Sequence, residues 1–236
     1  VTTQLSLLDQ ACPAWFEILT RLPGRIDGLA RIAPWTATGV AVTLREDAAA
    51  LVVAEATPGT VFPARCAERH IQGDETFCVG LNRPKVTKRR DAEGWWFNLH
   101  QFLECQAIAA TTGLWPPRNA LDHGTAGVYQ QRALQLARWL GIEADYWEAY
   151  FGHTSWISTP PSAWAHPKDP VPHRRLRKPA VKRSRRARGL LLELVFTERK
   201  RRIALDRYNQ AARRWAGDCC GTMRDCAIKA ARAAPE

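Results

Sequence analysis

Turn-forming residues cut the region from 25 to 62 into segments too short for ordinary helices, with Pro23-Gly24 before it and Pro58-Gly59 near its end. Arg25 to Ile32 alternates weakly between apolar and polar residues. Gly39 to Leu44, GVAVTL, alternates well and is rich in β-branched residues. That is the pattern of a strand with one buried face. Ala50 to Glu55 is a short apolar run, and Val61-Phe62 ahead of Pro63 predicts a last short strand. Closely spaced strands joined by tight turns predict an antiparallel meander.

Helical spacing flanks this region. Leu8, Cys12, Trp15, Phe16, Leu19 and Leu22 recur at three- and four-residue spacing, which predicts a helix over 5–22. Cys12-Pro13 allows it to begin as late as Asp9, because proline is tolerated in a first turn. After the meander, Trp95 to Ala110 predicts an amphipathic helix beginning near Glu93 and ended by Gly113 and Pro116-Pro117. Trp95 and Trp96 read as anchors for the loop before it. Asn119 to Gly124 is a polar turn, Val128 to Leu140 a further helix, and the aromatic stretch Asp145 to Phe151 closes the domain. A helix, a meander and then helices is an α+β order.

From Ser158 the composition shifts. Pro160, Pro161, Pro167, Pro170, Pro172 and Pro179 interrupt any helix and predict an extended linker. It merges into Lys168 to Arg188, which holds ten Lys and Arg against one acid, Asp169. The expected organisation is a domain over 1–157, a Pro-rich basic linker over 158–188 and a helical tail over 189–236. Gly189 to Phe196 is apolar and too short for periodicity to separate helix from strand, and Thr197 to Trp215 reads as helix. The net charge of +11 suggests an anionic partner, either nucleic acid or an acidic protein surface. A solubilising linker explains the same run equally well. No apolar run approaches a membrane span, so no membrane partner is expected. The N-terminus lacks a signal-peptide pattern. Seven scattered cysteines do not resemble a secreted disulfide framework, which points to a reducing, cytoplasmic setting.

One cysteine stands out by its surroundings. Cys78 follows His70 by eight residues in a polar stretch that includes Gly73-Asp74, and the basic run VTKRR follows it. A thiol in an exposed, electropositive loop ionises and reacts. The alternative is a small buried hydrophobe, the commoner fate of a cysteine. Near the end, Cys219, Cys220 and Cys226 supply three of the four ligands a structural zinc takes, the fourth being another Cys or a His from elsewhere. The Cys220 to Cys226 spacing is longer than that of common fingers, and packed thiols or thiols that pair with Cys78 fit the same residues. Cys12, Cys66 and Cys105 read as core or supporting residues.

The stretch RHIQGDETFCVGL followed by GWWFNLHQFLECQ resembles the active-site region of bacterial ubiquitin-conjugating-enzyme-like proteins. These are prokaryotic relatives of the eukaryotic ubiquitin-conjugating enzymes, found in conjugation operons of which several serve anti-phage defence. Arg69, His70, Ile71, Asp74, Phe77, Cys78 and Gly80 stand in matching places. The chain departs at Gln72, where the eukaryotic pattern has Asn, at Glu75, where Gly is usual, and at Val79, where Leu is usual. CCGTMRDC over 219–226 resembles a cysteine-rich tail that accompanies some of these proteins.

The resemblance implies an α+β ubiquitin-conjugating-enzyme-like fold: an N-terminal helix, an antiparallel meander sheet, an active-site loop and C-terminal helices, with the basic linker and helical tail added. It implies a transferase that carries a ubiquitin-like protein as a thioester on Cys78, taken from an adenylating activating enzyme and passed to an acceptor protein. Transfer of this kind requires no cofactor, and zinc in the tail is the one candidate. A thiol suits both steps, because it is a strong nucleophile and its thioester stays reactive. Gln72 is a candidate oxyanion donor through its amide N–H groups, or else a loop tie. His70 holds the loop by hydrogen bonds. Asp74 either orients or deprotonates an incoming lysine amine, or caps a turn. The competing reading is a catalytically inactive docking protein, or a nucleic-acid-binding protein acting through 168–202.

Overall fold

A computed structural model describes residues 3–47, 50–80, 85–119, 121–152, 157, 185–215, 219–224 and 226. It divides into two compact units: Val1–Ala120 with Asn209–Glu236, and Leu121–Tyr208. The boundary expected at 157/158 therefore does not coincide with the division of the fold. The expected linker over 158–184 lies outside the described residues.

The first unit opens with α1 (Gln4–Gln10), whose Thr3 hydroxyl accepts the Ser6 N–H at 3.1 Å as an N-cap. Four strands follow: β1 (Phe16–Leu22), β2 (Arg25–Ala30), β3 (Val40–Asp47) and β4 (Ala50–Glu55). They form one antiparallel sheet in sequence order, the expected meander. Val40, Val42 and Leu44 on β3 turn their side chains to the core, as do Ile26 and Ala30 on β2. Gly28 lies between those two on β2. A Cβ there would stand 2.5 Å from the Phe16 ring and 2.6 Å from the Glu17 carbonyl oxygen, so only glycine fits.

Two expectations on this unit are corrected. The helix predicted over 5–22 stops at Gln10, and residues 16–22 are β1. Pro13 has no N–H to give the Asp9 carbonyl, and it pushes Cys12 out of the helical region. Leu19 and Leu22, read as part of a core stripe, are 56% and 52% exposed on this sheet-edge strand. Val61-Phe62 forms no strand; Phe62 is a buried side chain in the core instead. The fourth strand of the sheet is thus β1.

After the loop comes α2 (Arg89–Thr112), longer than predicted because the basic residues Arg89 and Arg90 form its first turn. Asp91 stabilises that turn by accepting the Thr87 N–H at 3.1 Å and the Thr87 hydroxyl at 2.8 Å. Gly113 ends the helix in the left-handed region at φ 71°. Trp95, Trp96, Leu99, Phe102 and Leu103 face the sheet core. Trp96 also donates its indole N–H to the Leu8 carbonyl at 3.0 Å, tying α2 to α1. The two tryptophans anchor α2 to α1 and the sheet core, whereas sequence assigned them to the loop.

The second unit contains α3 (Thr125–Trp139), α4 (Glu143–Gly152) and most of α5 (Arg185–Trp215). The apolar run 189–196, left open between helix and strand, is part of α5. Residues 185–188, placed by sequence in the linker, are its first turn. Leu136, Tyr146, Ala149, Leu191 and Leu194 form the core. Beside it Arg201 donates from Nε and Nη2 to the Glu198 carboxylate, both at 2.7 Å, and from Nη1 to Asp122. Tyr150 donates its hydroxyl to the same Asp122 at 3.0 Å. Among the described residues no helix is long and apolar enough to cross a membrane.

Candidate active site

The cysteine loop is two consecutive turns. Cys66 and Ile71 exchange backbone hydrogen bonds, Cys66 N–H to Ile71 O at 3.1 Å and Ile71 N–H to Cys66 O at 2.9 Å. They close a turn over Ala67–His70. The second turn covers 72–76. The Gln72 N–H donates to the Thr76 carbonyl at 2.9 Å, and the Glu75 N–H to the Gln72 carbonyl at 3.0 Å. Asp74 accepts from both the Thr76 N–H at 3.1 Å and the Thr76 hydroxyl at 2.7 Å, an Asx-type turn. The Gln72 amide donates to the Thr76 hydroxyl oxygen at 3.1 Å. Gln72 and Asp74, both predicted site residues, therefore meet on Thr76 and serve the turn.

Phe77 pins the end of the turn to the sheet. Its N–H donates to the β4 carbonyl of Val53 at 2.7 Å, and its ring is buried against Phe62 and Phe102, with centroids 5.7 and 4.8 Å away. Alternation then points Cys78 the other way, half-exposed. The Cys78 N–H donates to the His70 carbonyl at 2.8 Å. His70 itself is buried at φ 54°, a left-handed conformation uncommon outside glycine, with its ring 4.7 Å from that of Trp115. Its contacts with the loop are this backbone carbonyl and the packing of its ring on Trp115. Glu75 is also left-handed, at φ 68°. That is the position where glycine is usual in the resembling family, and the backbone supplies the reason.

The whole turn is bolted to α2 from below. Arg69, 2% exposed, donates to the Gln106 side-chain oxygen at 2.7 Å and to the Gln106 carbonyl at 3.1 Å, and the Gln106 amide returns a bond to the Arg69 carbonyl at 2.6 Å. Burial pulls the Arg69 pKa below its ordinary value. No local sequence pattern announces this pairing, or Trp115 behind His70.

The tail cysteines lie in two pairs. Cys219 Sγ is 3.6 Å from Cys226 Sγ, and Cys220 Sγ is 2.9 Å from Cys66 Sγ. Cys66, read from sequence as a supporting residue, is buried and is the tail's contact. The shared hydrogen bond splits the acidities of that pair. It pulls the Cys220 thiol down to about 5, helped by Thr222 and against the effect of burial, and pushes Cys66 up. Among the described residues no three His, Cys, Asp or Glu side chains are disposed to hold a metal ion.

Residues 26–117 match the family model of the prokaryotic E2 domain, the bacterial form of the ubiquitin-conjugating domain. This stretch is a prokaryotic E2 domain. The match runs from β2 through the sheet, the Cys78 turn and α2, so the turn lies inside the E2 domain. It ends at Pro117, ahead of the second unit and the cysteine tail. No curated protein and no solved structure matches the chain. An E2 domain is of the conjugating type, which works with ubiquitin-like proteins and their activating enzymes in general.

Of the basic segment 168–202, residues 168–184 lie outside the described residues. In the described part, Arg201 and Arg202 both pair with Glu198, at 2.7 and 3.0 Å. Those two cations are engaged within their own unit.

Proposed function

We propose that the E2 domain carries a ubiquitin-like protein as a thioester on Cys78 and passes it to an acceptor amine. The observation that carries this reading is the half-exposed Cys78 at the end of a turn whose backbone is fastened at His70, Val53 and Thr76. A fixed, accessible sulfur is what acyl transfer needs from the protein. The Cys78 thiolate attacks the carbonyl of a modifier already held as a thioester on an adenylating activating enzyme. A tetrahedral oxyanion forms, and the activating enzyme's sulfur leaves as thiolate. An acceptor amine later attacks the Cys78 thioester, the C–S bond breaks, and the amine's proton is lost as the amide forms.

Each neighbour has a role in this reading. His70 aims Cys78 through its carbonyl. Gln72 gives one amide N–H to Thr76, and the second is the donor we assign to the oxyanion. Removal of one such donor costs other enzymes about 3 kcal/mol in the transition state. Asp74 holds the turn through Thr76, and its part in receiving the amine is secondary. Transfer draws on no cofactor of this chain, because activation is completed upstream. The setting we assign is a bacterial ubiquitin-like conjugation pathway of the cytoplasm, of the kind that serves anti-phage defence.

Intact mass under non-reducing conditions tests this. The chain is mixed with ATP, its activating enzyme and the ubiquitin-like protein. The expected result is an adduct of modifier mass that thiol reductant removes and that Cys78→Ala lacks. With the activating enzyme shown to be charged, absence of an adduct on wild type would turn the reading to a docking protein.

A further inference from the structure

Residues 219–224 and 226 of the tail are fastened to the E2 domain at the base of the active-site turn. Cys220 Sγ lies 2.9 Å from Cys66 Sγ, and the Arg224 N–H donates to the Gly113 carbonyl at 2.8 Å. Met223 and Cys226 are buried, each 4% exposed. Both fastening points border His70. Cys66 closes the turn that carries it, and Gly113 ends α2 just ahead of Trp115, whose ring packs on it. A disulfide holds its sulfurs about 2.05 Å apart, so joining Cys66 to Cys220 requires them to approach by less than about 1 Å. The two cysteines differ in access. Cys66 is 6% exposed, whereas Cys220 is half-exposed with the Thr222 hydroxyl 3.2 Å from its sulfur.

We infer that Cys220 and Cys66 are a redox pair that locks the tail onto the active-site turn, with Cys220 as the peroxide-reactive sulfur and Cys66 as the resolving one. The oxidant is a hydroperoxide. The Cys220 sulfur attacks the outer peroxide oxygen, the O–O bond breaks, and the alcohol leaves with a proton. Cys220 is then a sulfenic acid, oxidised by two electrons. The Cys66 sulfur attacks the Cys220 sulfur, the S–O bond breaks, and water leaves with the Cys66 proton. Two thiols and one hydroperoxide give one disulfide, one alcohol and one water. An accessible thiol beside a buried resolving thiol is the arrangement of peroxide-sensing cysteines in general. Thiol reductant reverses the lock by exchange. This inference does not depend on the proposed transfer reaction.

The test uses the full reduced chain, one equivalent of hydrogen peroxide, alkylation of the remaining thiols and peptide mapping without reductant. The expected cross-link joins the Cys66 and Cys220 peptides, at about tenfold or more over any other cysteine pair. Cys66→Ser strands Cys220 as a sulfenic acid that dimedone traps. Cys220→Ser, at a half-exposed position, leaves Cys66 reduced, and it decides the matter if Cys66→Ser does not fold. The inference is overturned if Cys219–Cys226 or a Cys78 pair dominates, if Cys220 stays alkylatable, or if Cys66 oxidises in Cys220→Ser. It is also overturned if the purified chain holds one zinc that Cys220→Ser loses, since the sulfurs would then be metal ligands.

Discussion

Arg69 and Gln106 grip each other with three hydrogen bonds, two from the guanidinium and one returned by the amide to the Arg69 carbonyl. The pair joins the turn that carries His70 to the middle of α2, and both residues are buried, at 2% and 0% exposure. Gln106→Ala removes all the side-chain partners at once and leaves a buried cation short of acceptors. The expected loss is about 3 kcal/mol of stability, read as a lower urea midpoint. Cys78 alkylation should also change in rate, because the turn that aims it loosens.

Glu75→Gly should stabilise the E2 domain. Glu75 sits at φ 68°, where a side chain costs about 1 kcal/mol or more and glycine does not. Its 3.3 Å ion pair with Arg65 is half-exposed and worth little. Part of the gain is returned through glycine's larger unfolded-state entropy. A net rise of about 0.5 kcal/mol is expected, and thermal or urea unfolding measures it. A fall in stability would mean that the Arg65 pair outweighs the backbone strain.

In the second unit, Arg201 neutralises Asp122 and Glu198 where all three side chains are at most 6% exposed. Arg201→Met leaves two buried carboxylates facing one another. A loss of about 3–5 kcal/mol follows. Amide exchange should locate it in α3, α4 and α5, with the β-sheet amides unchanged.

The start of α2 carries a pH dependence. Hydrogen bonds from Thr87 hold the Asp91 carboxyl below the usual carboxylate range. A carboxyl whose pKa is lower folded than unfolded stabilises the fold above its unfolded pKa, and that contribution fades as pH falls through the folded value. Protection of the amides at 87–92, taken relative to their intrinsic exchange rates at each pH, should therefore fall in acid, ahead of the rest of α2. Asp91→Asn should show the lower protection already at neutral pH and little further loss on acidification.

Much of this fold was legible. β2, β3 and β4 followed from alternation and turn residues, and α2 from its apolar face. The stripe from Leu8 to Leu22 misled because three- and four-residue spacing over a short window also suits a strand preceded by a turn. Pro13 was the decisive residue, since a helix running through it forfeits the bond to Asp9. In the candidate site, the turn ahead of Cys78 was legible from Gly73-Asp74. Glu75 was legible as a departure, but its left-handed backbone was not. Arg69 with Gln106, and Cys66 with Cys220, were beyond reach. Each is a pairing of residues 37 and 154 positions apart, and no local pattern announces such a partner.

That last separation has a consequence in time. The first unit is built from both ends of the chain, with the second unit inserted between them. At ordinary rates of synthesis, the 154 residues that follow Cys66, up to and including Cys220, take roughly 8–30 s to make. Through that interval the nascent sheet and α2 are already available, while the segment that seats Met223 and Cys226 has not yet left the ribosome. The side of the Cys78 turn that receives the tail is therefore covered only after those residues are made, and until then it is open to chaperones or early partners.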